Sequence, residues 1–260
     1  MRVIRVRYKD QTFYASLIDE KSVLCLNQKL GLTDPIPLAE ISLLPVVWPT
    51  KIVCAGMNYR GHAEELGRPV PEEPALFLKP PSSVIGNGQA IVMPQAASRV
   101  DYEGELALVM GQSCRNATPE EAAGCVFGYT CANDVTARDL QERDGGLFGR
   151  CKGFDTFCPI GPWIETEMEN PDNLGVITRV NDEIKQQANT SDMVFTPLEL
   201  VSYVSQVMTL LPGDVVLTGT PSGIGPLTPG DEVRVEIENV GLLINQAVAE
   251  SEPAKRDVLQ

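Results

Sequence analysis

Residues 101–111 read DYEGELALVMG. Glu103 and Glu105 stand two apart at the head of a run that turns apolar at Leu106, Ala107, Leu108, Val109 and Met110. On a strand, residues i and i+2 share a face. The pattern therefore predicts a buried strand with two carboxylates side by side at its start. Carboxylates that close repel and shift each other's pKa. A divalent cation with a preference for oxygen ligands resolves the conflict. The plainer alternative is a pair of solvated acids beside Asp101 and a strand-breaking Gly104.

Composition sets the bounds. The chain has 260 residues and is 43% hydrophobic, enough for one large domain with a small addition. Lys and Arg number 21 against 35 Asp and Glu, a formal charge of -14. That balance argues against a nucleic-acid partner, which needs a basic footprint. It leaves an anionic substrate open, because a bound cation inverts the local field. No apolar run is long enough to span a bilayer, and residues 1–10 are too charged for a targeting segment. Seven cysteines without a C-x-x-C pair read as buried reduced thiols, so the cytoplasm is the expected compartment and a zinc site is not expected.

Working outward, residues 3–9, 12–18 and 23–26 read as three strands, followed by a proline-rich stretch to 49. This gives a small antiparallel unit over 1–49 and a larger unit over 50–260. Lys51 to Ala55 opens a strand. Asn58 is placed to cap a short helix that Gly67 stops, and RPVPEEP (68–74) is a surface loop. Because 57–74 offers little apolar surface, it is expected to be mobile without ligand. Capping boxes start helices at Thr118-Pro119-x-Glu121 and Thr196-Pro197-x-Glu199. The second helix is expected to run to Leu211. Val233, Val235 and Ile237 alternate with charged residues ahead of a hairpin turn at 239–241. Strands dominate, so the fold class is α+β and strand-rich.

The chain has one histidine, His62, with Glu65 three residues on. On a helix these share a face, and a carboxylate beside an imidazole sets its tautomer and raises its basicity. An exposed histidine on an acidic helix is the simpler possibility. Asp134 lies where the apolar stretch 125–132 ends, a position that suits a metal ligand or a helix cap. Arg138 and Gln141 follow it, alternatively as a partner for Glu142 and a solvent-facing amide. Lys152 sits between two cysteines and apolar residues. Lys79 ends an apolar strand, and Thr220 lies in a glycine-rich loop. Each lysine also has a plain surface reading.

Taken in order, KIVCAGMNYRGHAEE, LFLKPPSSV, VDYEGELALVMG, GYTCANDVTARDLQ, KGFDTFCPIGPW and VVLTGTPSGIG resemble the fumarylacetoacetate hydrolase family across roughly residues 50–248. Residues 1–45 look like the small N-terminal extension of some bacterial members. The resemblance implies a mixed β-roll core and a homodimer. It implies Mg²⁺ or Mn²⁺ on Glu103, Glu105 and Asp134, a catalytic dyad of His62 and Glu65, and an active-site Lys152. Lys79, Arg138, Gln141 and Thr220 would contact substrate or support the site. The implied substrate is a small anionic 2-oxo acid. Hydrolysis of a C–C bond in an acylpyruvate, through an enolate stabilised by the cation, leads. Decarboxylation of oxaloacetate or a related dioate, and isomerisation of a 2-hydroxy-dienoic diacid, are alternatives. A non-catalytic 2-oxo-acid-binding protein is the reading of another class.

Overall fold

The strand Gly104–Met110 is buried at all seven positions and lies inside a large mixed sheet. The computed structural model describes residues 1–251, so 252–260 of the expected larger unit lie outside the described residues. Val126–Asn133 pairs antiparallel on one side of the 104–110 strand, with Gly104 opposite Asn133 and Glu105 opposite Ala132. Val215–Leu217 pairs on the other side and runs parallel to Ile52–Gly56, which in turn pairs with Ala75–Lys79. This run of strands places residues 103–105, 134 and 218–220 at neighbouring strand ends, whereas Lys79, in register with Ile52 and Val215, reaches Asp134 through its ammonium.

A second sheet is ordered Glu183–Asn189, Gly175–Val180, Glu232–Ile237, Gly241–Ala249 and Ala90–Met93. The alternation read at 233–237 is its inward face, with Val233, Val235 and Ile237 buried. Leu106 and Leu108 of the first sheet share a core with Val176, Val235 and Leu243 of the second. Leu200, Val201 and Val204 of the helix Pro197–Val207 join them. The sheets pack tightly at Gly104, where a Cβ would stand 2.0 Å from Thr178 Oγ1. Gly104 is therefore a strand residue kept bare for packing, and the plainer alternative, in which it breaks the strand, does not hold.

The three N-terminal strands form as expected, at Arg2–Tyr8, Gln11–Leu17 and Ser22–Cys25. They extend the large sheet, since Arg2 and Val3 pair with Glu165 and Ile164. Both capping boxes are present, each Thr hydroxyl accepting from the Glu N–H three residues on. The second helix ends at Val207, short of Leu211. Leu210 bridges to Cys114, and Leu211 N–H donates to Asp214 Oδ2 at 2.8 Å, so a long-range bridge and a local turn bond take those residues out of the helix. Asn58 does not cap the helix Arg60–Glu65. Its amide nitrogen donates to the carbonyls of Phe195 and Thr218 at 2.9 and 2.8 Å. All seven cysteines are free thiols. No helix among the described residues is long and apolar enough to cross a membrane.

Candidate active site

Glu103 occupies a one-residue break between the strands Val100–Tyr102 and Gly104–Met110. Its N–H donates to Asn133 Oδ1 at 2.9 Å, and its carbonyl accepts from Asp134 N–H at 2.8 Å. Antiparallel register thus sets Asp134 beside Glu103, while the two-residue strand period brings Glu105 to the same place. One carboxylate oxygen from each of the three lies within 4.8 Å of the others. All three residues are buried, with exposures of 5%, 2% and 1%, so they are not solvated surface acids. Nor is Asp134 a helix cap. The short strand Thr136–Ala137 follows it, and the helix Arg138–Arg143 begins after Ala137.

The three acids have unequal surroundings. Glu103 accepts from Lys152 Nζ at 2.7 Å, from Thr136 Oγ1 at 3.1 Å and from Arg138. Burial opposes its charge, but Lys152 and Arg138 outweigh burial and hold the carboxyl well below the usual range. Asp134 accepts from Lys79 Nζ at 2.6 Å and from Lys152. Glu105 accepts only the Gly219 N–H, at 2.7 Å, and has no ion-pair partner among the described residues. Burial, with Asp134 and Glu103 nearby, pushes its carboxyl far above the usual range. A buried, all-oxygen donor set with one acid lacking a counter-charge fits a hard divalent cation.

The cations divide into those that face the cavity and one that stands behind it. A cavity of about 480 Å³ is lined by the triad, His62, Lys152, Arg138, Gln141 and Thr220. Lys152 is 2% exposed, and Asp134 and Glu103 overcome its burial to hold its ammonium charged. Arg138 donates to Asp101 at 3.0 Å and to Gln141 Oε1 at 2.6 Å, as well as to Glu103, and not to Glu142, the plainer alternative for it. Thr220 Oγ1 donates to the Gly104 carbonyl at 3.0 Å and accepts from Gln186 Nε2 at 2.8 Å. Lys79 was expected to contact substrate or support the site, and its placement favours the second. It is 1% exposed, does not line the cavity, and spends its ammonium on Asp134 and the Val135 carbonyl.

His62 is 5% exposed, so it is not a surface histidine. Its Nδ1 lies 2.9 Å from Glu65 Oε2, and Glu65 Oε1 accepts the Gly223 N–H at 2.9 Å. Glu65 is thus held from both sides. With the proton on Nδ1, Nε2 keeps a lone pair and has no partner among the described residues. Tyr59 and Ala63 on the same segment are buried, so it has more apolar anchorage than its sequence suggests.

Two contributors escaped the sequence reading. Asp101, fully buried, takes the guanidinium groups of Arg99 and Arg138 and so aims Arg138. Its signal was present, because 101, 103 and 105 continue one period-two row. Phe77 and Phe148, stacked at 4.4 Å, form an apolar wall of the cavity. No local pattern joins two residues so far apart in the chain.

A family model described as fumarylacetoacetate (FAA) hydrolase C-terminal matches residues 51–248. The human mitochondrial oxaloacetate tautomerase FAHD2B is 45% identical over 224 residues, covering 82% of this chain and 71% of the relative. The crystal structure of 2-hydroxyhepta-2,4-diene-1,7-dioate isomerase from Mycobacterium marinum superposes with a TM-score of 0.87 at 39% identity, covering 97% of this chain and 100% of that one. Maleylpyruvate hydrolase from Sphingobium sp. SYK-6, solved with manganese(II) and pyruvate, gives a TM-score of 0.81 at 32% identity, covering 96% and 100%. With its strand-rich mixed sheets and its buried carboxylate triad, this chain belongs to the fumarylacetoacetate hydrolase family.

Proposed function

We propose that this protein is a divalent-cation-dependent enzyme that moves a proton on a small 2-oxo dicarboxylic acid, as a keto–enol tautomerase or isomerase. The observation that carries this reading is the open Nε2 of His62 in the same cavity as the triad Glu103, Glu105 and Asp134. Held by those three carboxylates, Mg²⁺ or Mn²⁺ would supply Lewis acidity to the 2-oxo oxygen. His62 removes the proton from the carbon next to the 2-oxo group, and the C–H electron pair moves onto the ketone to give the enolate. Glu65 holds the imidazole by Nδ1 and offsets the charge it gains. Returning the proton to oxygen, or to a more distant carbon of a conjugated diacid, completes the turnover. Lys152 and Arg138 keep Glu103 ionised and add positive charge at the cavity wall.

Hydrolysis of an acylpyruvate is the second reading, favoured by the same dyad, since His62 can take its proton from water. Decarboxylation needs no base, so the dyad counts against it as the main reaction. Metal-loaded protein should be given enol-oxaloacetate, an acylpyruvate and a dienoic diacid. Ultraviolet loss of the enol, pyruvate release and CO₂ release are then followed separately. Fast enol loss without CO₂ supports the proposal. Pyruvate release from the acylpyruvate without CO₂, as the faster reaction, replaces it with hydrolysis, and CO₂ release from oxaloacetate as the faster reaction replaces it with decarboxylation. Tight binding with no turnover of any substrate leaves a binding protein.

A further inference from the structure

The residues reaching the cavity include one cation that the site itself does not use. Arg138 and Lys152 are committed to Asp101, Glu103, Asp134 and Gln141. Arg68 lines the same cavity, is exposed, and has no ion-pair or side-chain hydrogen-bond partner among the described residues. Its backbone is fixed all the same. Gly67 has a left-handed φ of 61, its N–H donates to the Glu64 carbonyl at 3.0 Å, and Arg68 N–H donates to the Ala63 carbonyl at 2.9 Å. That is the two-bond Schellman ending of a helix. Pro69 then bars helical backbone at Arg68. The turn therefore delivers a guanidinium to the cavity from the segment that carries His62.

We propose that Arg68 is a specificity-determining residue that receives the far carboxylate of the substrate, so that the enzyme prefers 2-oxo diacids to 2-oxo monoacids of equal length. This rests on the proposed function, in which the 2-oxo end lies at the triad. A guanidinium forms paired charge-assisted hydrogen bonds to a carboxylate. Glu142, also exposed and also lining the cavity, is the acid that opposes a second negative charge there.

The test is calorimetric titration of the Mn²⁺-loaded protein with oxalate, 2-oxohexanoate and 2-oxohexanedioate. Wild type should bind the diacid about 10-fold more tightly than the monoacid, the lower end for charged hydrogen bonds at a partly exposed site. R68Q should erase that difference and leave oxalate and the monoacid unchanged, and R68K should keep part of it. G67A, which strains the turn without touching a neighbour, should reduce it, and E142Q should enlarge it. A diacid preference that survives R68Q, or equal weakening of all three ligands, overturns the proposal. If oxalate binds but wild type shows no diacid preference, only the Arg68 assignment fails. If oxalate does not bind at all, the proposed function fails and takes this assignment with it.

Discussion

His62 is the only imidazole in the chain, so no second one can take over its proton. A positioned general base contributes roughly 100- to 10,000-fold. His62→Ala should lower enol turnover, or acylpyruvate cleavage, by about that factor, while calorimetry shows metal binding unchanged. Loss of metal binding together with activity would make His62 a structural residue instead. Asp214 shows a residue acting on stability alone. It is fully buried and accepts from Thr50 N–H at 3.0 Å, Thr50 Oγ1 at 2.6 Å, Lys51 N–H at 3.1 Å and the Lys51 ammonium. Burial opposes its charge, but Lys51 and Thr50 outweigh burial and lower its pKa. A depressed folded-state pKa stabilises above the unfolded value, about pH 4, and that stability is lost as pH falls through the folded value. Asp214→Asn should cost about 1–3 kcal/mol at neutral pH. Denaturant melts should also show a shallower fall in stability below about pH 4 for the variant than for wild type.

Among the elements, the contact between the two sheets at Gly104 sets the spacing of Glu103 and Glu105. A methyl there would overlap Thr178 Oγ1 at 2.0 Å and crowd Val235 Cγ1 at 3.2 Å. Gly104→Ala should destabilise by about 1–3 kcal/mol through overpacking and weaken metal binding. Adding Thr178→Ala removes the overlapping hydroxyl and should recover part of both losses in melts and metal titration. No recovery would place the fault elsewhere. The segment 57–74 is tied down by Tyr59 bridging to Met193 and by Glu65 on Gly223, but its 68–70 and 72–73 positions are exposed. Limited proteolysis should therefore nick near 68–74 in the free protein and slow when Mn²⁺ and oxalate are added. Equal cleavage rates would argue against a segment that closes over ligand.

For the whole molecule, the carboxylates of the triad come from two strand ends brought together only by folding, so the unfolded chain has no equivalent site. Metal that binds only the folded state stabilises it by mass action, about 2.7 kcal/mol at 100 times Kd. The melting temperature should rise with Mg²⁺ or Mn²⁺ and fall back on chelation. Glu105→Gln keeps an acceptor for the Gly219 N–H and removes a carboxylate that has no counter-charge. It should melt no lower than metal-free wild type and should lose the metal-dependent rise. A full rise in the variant would remove Glu105 from the ligand set.

What the chain wrote locally was legible. The period-two row through Glu103 and Glu105, the i,i+3 spacing of His62 and Glu65, two capping boxes and the hairpin at 239–241 each depend on residues a few positions apart. Burial of the acids followed from the apolar run beside them. The tertiary structure decided the rest. Asn58 left its capping position because carbonyls of Phe195 and Thr218 reached it, and the helix stopped at Val207 because Cys114 claimed Leu210 beyond it. Gly104 acquired its role from Thr178, and Arg138 its direction from Asp101. Short-range geometry is fixed by backbone dihedrals and shows as periodicity in the sequence. Which distant group satisfies a buried donor or fills the space at a bare Cα depends on how the sheets pack, and no local pattern records that.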